Sequence, residues 1–178
     1  MRKLRNEELG RKSLGDFRNA DKLPIIIVLD NVRSFHNVGS VFRSADAFLL
    51  EGVYLCGITA KPPHRDINKT ALGATESVDW QYFNETFEAV ERLKRDNYEL
   101  LAVEQTESSI ALDTFSPEIN KKYALVFGHE VNGVDQKVID VCANSLEIPQ
   151  TGTKHSLNIS VSVGVVIWDF YAKLKAGI

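Results

Sequence analysis

Residues Pro24–Asp30, PIIIVLD, form an unbroken apolar run rich in β-branched side chains, with no alternation between polar and apolar positions. A run of strand length without a polar face fits a strand covered on both sides, and such strands belong to parallel sheets flanked by helices. Behind it, Val38, Val41, Phe42, Ala45, Phe48 and Leu49 recur at helical spacing. Asn37 stands where an N-cap is expected. Strand followed by helix is half of a βαβ unit, so the chain is expected to repeat the alternation.

It does. The strand-like stretches GVYLCGI, VDWQYF, YELLAVEQ, YALVFG and SLEIP are separated by a Pro-containing loop TAKPPHRDINKT, a helix ETFEAVERLKRD, a looser stretch and a short helix DQKVIDVC. A last helix is expected from about Ser156 to Lys173. Five or six strands interleaved with helices read as an α/β fold with a mostly parallel sheet. At 178 residues the chain suits a single domain at 23–178 behind an N-terminal arm at 1–22. A domain of this size buries about 70% of its unfolded surface and needs no disulfide. Cys56 and Cys142 lack the clustered spacing of a zinc site or a disulfide framework. With no signal-like or membrane-length apolar run, a cytoplasmic setting and no membrane association are expected.

Charge is unevenly placed. The arm carries seven Lys/Arg against four Asp/Glu, a net +3, and the remainder carries 14 against 20, a net −6. An acidic body argues against a general polyanion binder, while a basic arm suits local phosphate contact or a solvated tail.

Three turns have an apolar strand running into small and polar residues: NVGSVFR (37–43), VFGHEVNG (126–133) and IPQTGTKHSLN (148–158). Loops beyond the carboxyl ends of parallel strands are where open sheets bind ligands. In the first, Gly39 is a poor helix former whose place is explained if something must approach the backbone. Asn37 and Arg43 then belong to a small polar site, or else to an ordinary cap and an Arg43–Asp46 surface pair. In the second, two glycines flank Glu130. His129 beside it has no other histidine at ligand-like spacing, so no metal is expected. In the third, Ser156 or a neighbour caps the last helix, Leu157, Val161, Val165 and Trp168 give it an apolar side, and Asn158 either caps locally or reaches into a site.

Taken together, Asn-x-Gly-x-x-x-Arg, Gly-x-Glu-x-x-Gly and Ile-Pro-x-x-Gly followed by Ser-Leu-Asn-x-Ser resemble the three motifs of the SpoU family of RNA ribose methyltransferases, within the SPOUT class. The resemblance runs from about Pro24 to Tyr171. It implies an α/β fold with a C-terminal deep trefoil knot, S-adenosylmethionine as methyl donor, and a homodimer whose site borrows from both subunits. It also implies catalytic roles for Asn37, Arg43, Glu130, Ser156 and Asn158, and cofactor contacts from Val103, Gly128, Ile148 and Leu157. Asp169 departs from the family pattern, where a glutamate is common, and puts a supporting contact in question.

The reaction so implied is attack of a ribose 2′-hydroxyl on the sulfonium methyl. A guanidinium with a pKa above about 12 is a poor base, so Arg43 is expected to clamp a phosphate and stabilise developing alkoxide. RNA is the expected partner, tRNA favoured over rRNA because no separate RNA-binding domain precedes the motifs. The competing readings are methylation of an RNA base, a catalytically silent RNA-binding module, and a small-molecule-binding α/β domain.

Overall fold

The computed structural model describes residues 1–176. Its sheet has seven strands: β1 (Leu23–Asp30), β2 (Leu50–Cys56), β3 (Trp80–Phe83), β4 (Tyr98–Val103), β5 (Ile110–Ala111), β6 (Lys122–Phe127) and β7 (Asn144–Glu147). They lie in the order β3-β2-β1-β6-β4-β7-β5, and every pairing is parallel. Seven α-helices accompany them among the described residues: α1 (Leu14–Asn19), α2 (Phe35–Ala47), α3 (Arg65–Ala71), α4 (Ala74–Ser77), α5 (Thr86–Arg95), α6 (Gln136–Ile139) and α7 (Ile159–Ala176).

The unbroken apolar run of β1 has the cause expected of it. Ile25, Ile27 and Leu29 face a core built with α2, α3 and α7, and Ile26 and Val28 face a second core built with α5 and α6. Both faces are dry, so neither tolerates a polar residue. The run ends at Asp30, 2% exposed, whose carboxylate accepts hydrogen bonds from the Thr86 hydroxyl, from Asn31 Nδ2 at 2.9 Å and from the Asp135 amide at 2.9 Å. A buried charge is tolerated when its lone pairs are satisfied in this way.

Several local expectations need correcting. Ser34, not Asn37, is the N-cap of α2: its hydroxyl accepts from the Asn37 amide, and Asn37 lies inside the first turn. The stretch expected as the Pro-containing loop holds α3 and leads into α4, with His64 Nδ1 capping α3. The last helix starts at Ile159 rather than Ser156. The two-residue β5 had no periodic signal. It exists because Ile110 and Ala111 pair with the edge of β7.

Gly39 does mark a close approach, but the visitor is helix α3. A Cβ there would lie 2.2 Å from the Ile67 carbonyl oxygen and 2.1 Å from Thr70 Oγ1, and Thr70 in turn donates to the His36 carbonyl at 2.9 Å. Gly39→Ala gains about 1 kcal/mol of helix propensity against an overpacking cost of about 1–3 kcal/mol. A backbone carbonyl must move, so a net loss of stability is expected. Thermal unfolding checks it: a lowered Tm is the expected result, and a raised one would mean that α2 and α3 separate freely.

The arm is not a free tail. After a 3-10 turn at Asn6–Leu9, α1 is capped reciprocally by Ser13 and Asp16. Phe17 is buried in the core shared with α2, and Arg18 donates to the Glu76 carbonyl at 2.9 Å.

Helix α7 has two apolar faces. Ile159, Val163, Val166, Ile167, Phe170 and Leu174 are buried, while the side singled out from the sequence faces outward: Leu157 (just before the helix), Val161, Val165 and Trp168 are 39%, 50%, 38% and 58% exposed. Asp169 forms an ion pair with Lys173 at 2.8 Å, and Lys173 also donates to the carbonyls of Leu112 and Phe115. The carboxylate at the position of the departure is thus held within its own helix by Lys173.

Candidate functional site

The order of the sheet decides where the three motifs meet. Strand β1 neighbours β6, and β4 separates β6 from β7. The motif loops therefore leave the same carboxyl edge side by side, at a point where the strand order changes direction, the usual place for a ligand in an open α/β sheet.

Side chains from all three motifs are bonded in series. Glu130 accepts from the backbone amides of Arg33 at 3.2 Å and Ser34 at 3.1 Å, and from Asn37 Nδ2 at 3.4 Å. Asn37 Oδ1 accepts from Asn158 Nδ2 at 3.3 Å. Asn158 Oδ1 accepts from both the amide and the hydroxyl of Ser160, at 2.9 and 2.7 Å. The Asn158 oxygen caps α7 locally, while its nitrogen reaches Asn37 on α2. Each amide is thereby fixed in orientation, since its oxygen and nitrogen have different partners.

Partial burial alone raises the pKa of Glu130, but the donors around it, namely its own amide, those of Arg33 and Ser34, and the Asn37 side chain, outweigh that and hold the carboxyl below its ordinary value. It is an anchored anion. A group so stabilised in its charged form is a poor proton acceptor, which fits an orienting role.

Beside this series lies a cleft of about 550 Å³ whose lining includes Val103, Gly128, Ile148, Ser156, Leu157 and Asn158. All four residues expected to hold the cofactor are therefore together, with Ser156 and Asn158 at the same cleft. Its size and its mixture of apolar walls with a few polar groups are those of a small-molecule pocket. Gly128 shapes it through the backbone: a Cβ there would fall 2.0 Å from the Gly133 carbonyl carbon and 2.1 Å from the Val134 nitrogen. The loop closes through reciprocal amide–carbonyl bonds between His129 and Gly133 at 3.0 and 2.9 Å.

Arg43 is not brought to this group. Six residues beyond Asn37 on α2, it is turned about a third of the way round the helix, and it opens on a different cleft of about 630 Å³ with Arg11 and Lys12 of the arm. The Arg43–Asp46 pair is not formed either; Asp46 is bonded to the Ser77 hydroxyl.

Two carboxylates escaped the sequence reading. Asp30 ties the end of β1 to the Asp135 amide and so steadies the loop that carries Glu130. Glu104, the residue after β4, accepts from the Val134 amide and lines the cleft. Their only sequence signal is an acid at the end of an apolar strand. Among the described residues no group of three or more His, Cys, Asp or Glu could hold a metal ion, and no helix is long and apolar enough to cross a membrane. Burial pushes the Cys56 thiol up to about 12 and Cys142 to about 11, which leaves neither as a nucleophile at neutral pH.

Comparison with known proteins places this geometry. A model of the SpoU rRNA Methylase family matches residues 24–168. A Staphylococcus aureus protein assigned to the TrmH family of tRNA/rRNA methyltransferases is 28% identical over 156 residues, covering 88% of this chain and 62% of its own length. The chain thus spans about three fifths of the length of the curated relatives it matches first. Among solved structures, an AdoMet-bound rRNA methyltransferase from Sinorhizobium meliloti aligns with a TM-score of 0.78 at 21% identity, over 88% of this chain and 59% of that one. A structure concerned with 2-OH methylation of C/U34 on tRNA aligns with a TM-score of 0.76 at 24% identity, over 86% of this chain and 99% of its counterpart. At these identities the structural likeness speaks for the shared fold.

Proposed function

The chain belongs to the SpoU rRNA Methylase family, and from that premise we propose that it transfers a methyl group from S-adenosylmethionine to a ribose 2′-hydroxyl of RNA. The observation that carries the reading is the hydrogen-bonded series Glu130–Asn37–Asn158, which joins the three motifs at the mouth of a cleft lined by Val103, Gly128, Ile148 and Leu157. Apolar walls suit an adenine, and backbone groups beside Gly128 suit its ribose. When bound, the cofactor supplies an electrophilic methyl on a sulfonium.

The residues of the chain have the remaining work. Asn37 and Asn158, each locked by a partner, and Ser156 at the same cleft orient the attacking ribose so that its hydroxyl meets the methyl in line, the geometry in which proximity contributes most. Glu130 holds the loop before α2 in place. Arg43 clamps the phosphate beside the target ribose and stabilises the charge that grows on the 2′-oxygen as its proton passes to solvent water.

A homodimer reconciles the distance between Arg43 and the other motifs, because a second copy can present its Arg43 to this cleft. The outward apolar side of α7, with Trp168 in contact with Phe48 and Tyr171, supplies the surface for such a pairing. The same return of α7 from beyond β7 to α2 supports the knotted C-terminus implied by the resemblance. On the RNA side, Arg11 and Lys12 share a cleft with Arg43, so the arm at 1–22 is read as a phosphate contact that favours a folded tRNA in the cytoplasm.

The test uses methyl-tritiated cofactor and undermethylated RNA. Alkaline cleavage needs a free 2′-hydroxyl, so a ribose-methylated linkage survives as a dinucleotide. Label in alkali-stable dinucleotides is the expected result. Label confined to mononucleotides would mean methylation of a base, and no transfer at all would point to a silent binding module.

A further inference from the structure

Glu104 is a carboxylate without a counter-charge in a cleft read as holding a cationic nucleoside. It follows the last residue of β4 and lines both the cleft of about 550 Å³ and an adjoining cavity of about 920 Å³. Its position is built rather than incidental. Oε2 accepts from the Val134 amide at 3.1 Å and Oε1 from the Gln105 amide at 2.9 Å. Gly133 adopts φ +69°, a left-handed conformation that disfavours any side chain, and a Cβ there would meet Glu104 Oε2 at 2.2 Å unless the carboxylate left its place. The second glycine of the Gly-x-Glu-x-x-Gly motif thus makes space for this carboxylate. Among the described residues Glu104 has no cationic partner.

An ionised carboxylate has about four acceptor positions, and the two amides use two of them. The rest are left for donors from the cleft. Ser156 and Asn158, on the side where a transferring methyl must point, do not extend to the adjoining cavity, whereas Glu104 stands on the boundary between the two. It is therefore set away from the reacting centre, where a nucleoside has neutral hydroxyls. An acid at the end of a parallel strand is the group by which other nucleotide-binding sheets hold a ribose diol.

We infer that Glu104 accepts hydrogen bonds from the ribose hydroxyls of the bound nucleoside and makes the cleft selective for ribose over deoxyribose. The inference rests on the cofactor reading above. It goes beyond that reading in assigning ribose discrimination to one side chain.

Calorimetry tests it with S-adenosylhomocysteine and the counterpart lacking both ribose hydroxyls, two ligands without the sulfonium charge. Wild-type protein should prefer the ribose form by roughly 10- to 100-fold, the range for hydrogen bonds to a charged acceptor. In Glu104→Gln the preference should fall to a few-fold. If the variant does not fold, Glu104→Asp, which keeps the charge but shortens its reach, gives the same ratio. An unchanged preference in the variant overturns the inference, as does equal weakening of both ligands, which would make Glu104 only an anchor for the loop. Selective loss of S-adenosylmethionine relative to its demethylated product also overturns it, in favour of a contact with the sulfonium. Wild-type protein that binds none of these ligands would sink the cofactor reading as well.

Discussion

Arg43→Ala should lower turnover by about 10²- to 10³-fold, the cost of removing one donor aimed at developing charge, while leaving the fold and cofactor binding as they are. Both halves follow from position. Arg43 is exposed on α2 and has no hydrogen bond or ion pair among the described residues, so its loss costs within about 0.5 kcal/mol of stability. It does not line the cleft of Val103, Gly128, Ile148 and Leu157 within its own chain, and in the shared site its partner is the phosphate of the RNA rather than the nucleoside, so affinity for S-adenosylhomocysteine should be unchanged. Arg43→Lys keeps the charge but not the planar fork that grips a phosphate through two bonds, and should recover only part of the rate. Steady-state kinetics with RNA, read beside calorimetry and thermal unfolding, separate the effects. Full activity in Arg43→Ala would return the residue to the solvated surface.

Gly128→Ala should fail in the opposite way, through structure. The new methyl would fall 2.0 Å from the carbonyl carbon of Gly133 and 2.1 Å from the nitrogen of Val134. These are backbone atoms held by the His129–Gly133 bonds, so no rotamer relieves the clash. A cost at the upper end of overpacking, about 3 kcal/mol, is expected, equivalent to a Tm about 10 °C lower for a chain of this length. Opening the loop also displaces Glu130, which would release the Arg33 and Ser34 amides, and cofactor binding should be lost. Differential scanning calorimetry with and without S-adenosylhomocysteine reads both effects. A variant that melts like wild type and is still stabilised by the ligand would show that the loop has another conformation available.

The parts of this fold that could be read in advance are those with a single physical cause. The unbroken, β-branched run of β1 fits a strand dry on both faces, and the glycine-bearing turns follow at its carboxyl edge and at those of β6 and β7. What escaped has several causes acting at once. A glycine in the first turn of α2 is explained if something approaches its backbone, but only the fold identifies α3 as the visitor. Val161, Val165 and Trp168 continue from Leu157 as an apolar stripe, yet the helix that carries these three has a second and more apolar stripe that takes the core, and composition does not say which side turns inward. Asn37 has the side chain of a good cap and Ser34 has a better placed one, a difference of three residues that rests on where the chain leaves β1. Asp30 and Glu104 gave no periodic signal because a single acid after an apolar strand is also what a plain loop looks like.

The site residues divide in the same manner. Glu130, Asn37 and Asn158 are widely separated in the chain, and the resemblance alone named them as one group. Their hydrogen bonds now give that grouping a physical form. Arg43 was expected beside them, and within one chain it is not.

The arrangement is tested most directly by mixing two inactive proteins. Arg43→Ala keeps the Asn37–Asn158 cleft intact, and Asn158→Ala keeps Arg43 intact. If each site takes its arginine from the partner, a mixed dimer contains one complete site and one doubly broken one. An equal mixture, exchanged by mild denaturation and refolding, should then regain roughly a quarter of wild-type methyl transfer from two dead parents, because half of randomly paired twofold dimers are mixed. If Arg43 serves its own chain, every site in the mixture lacks one residue or the other. The mixture would then stay as inactive as its parents, and the shared site would be contradicted.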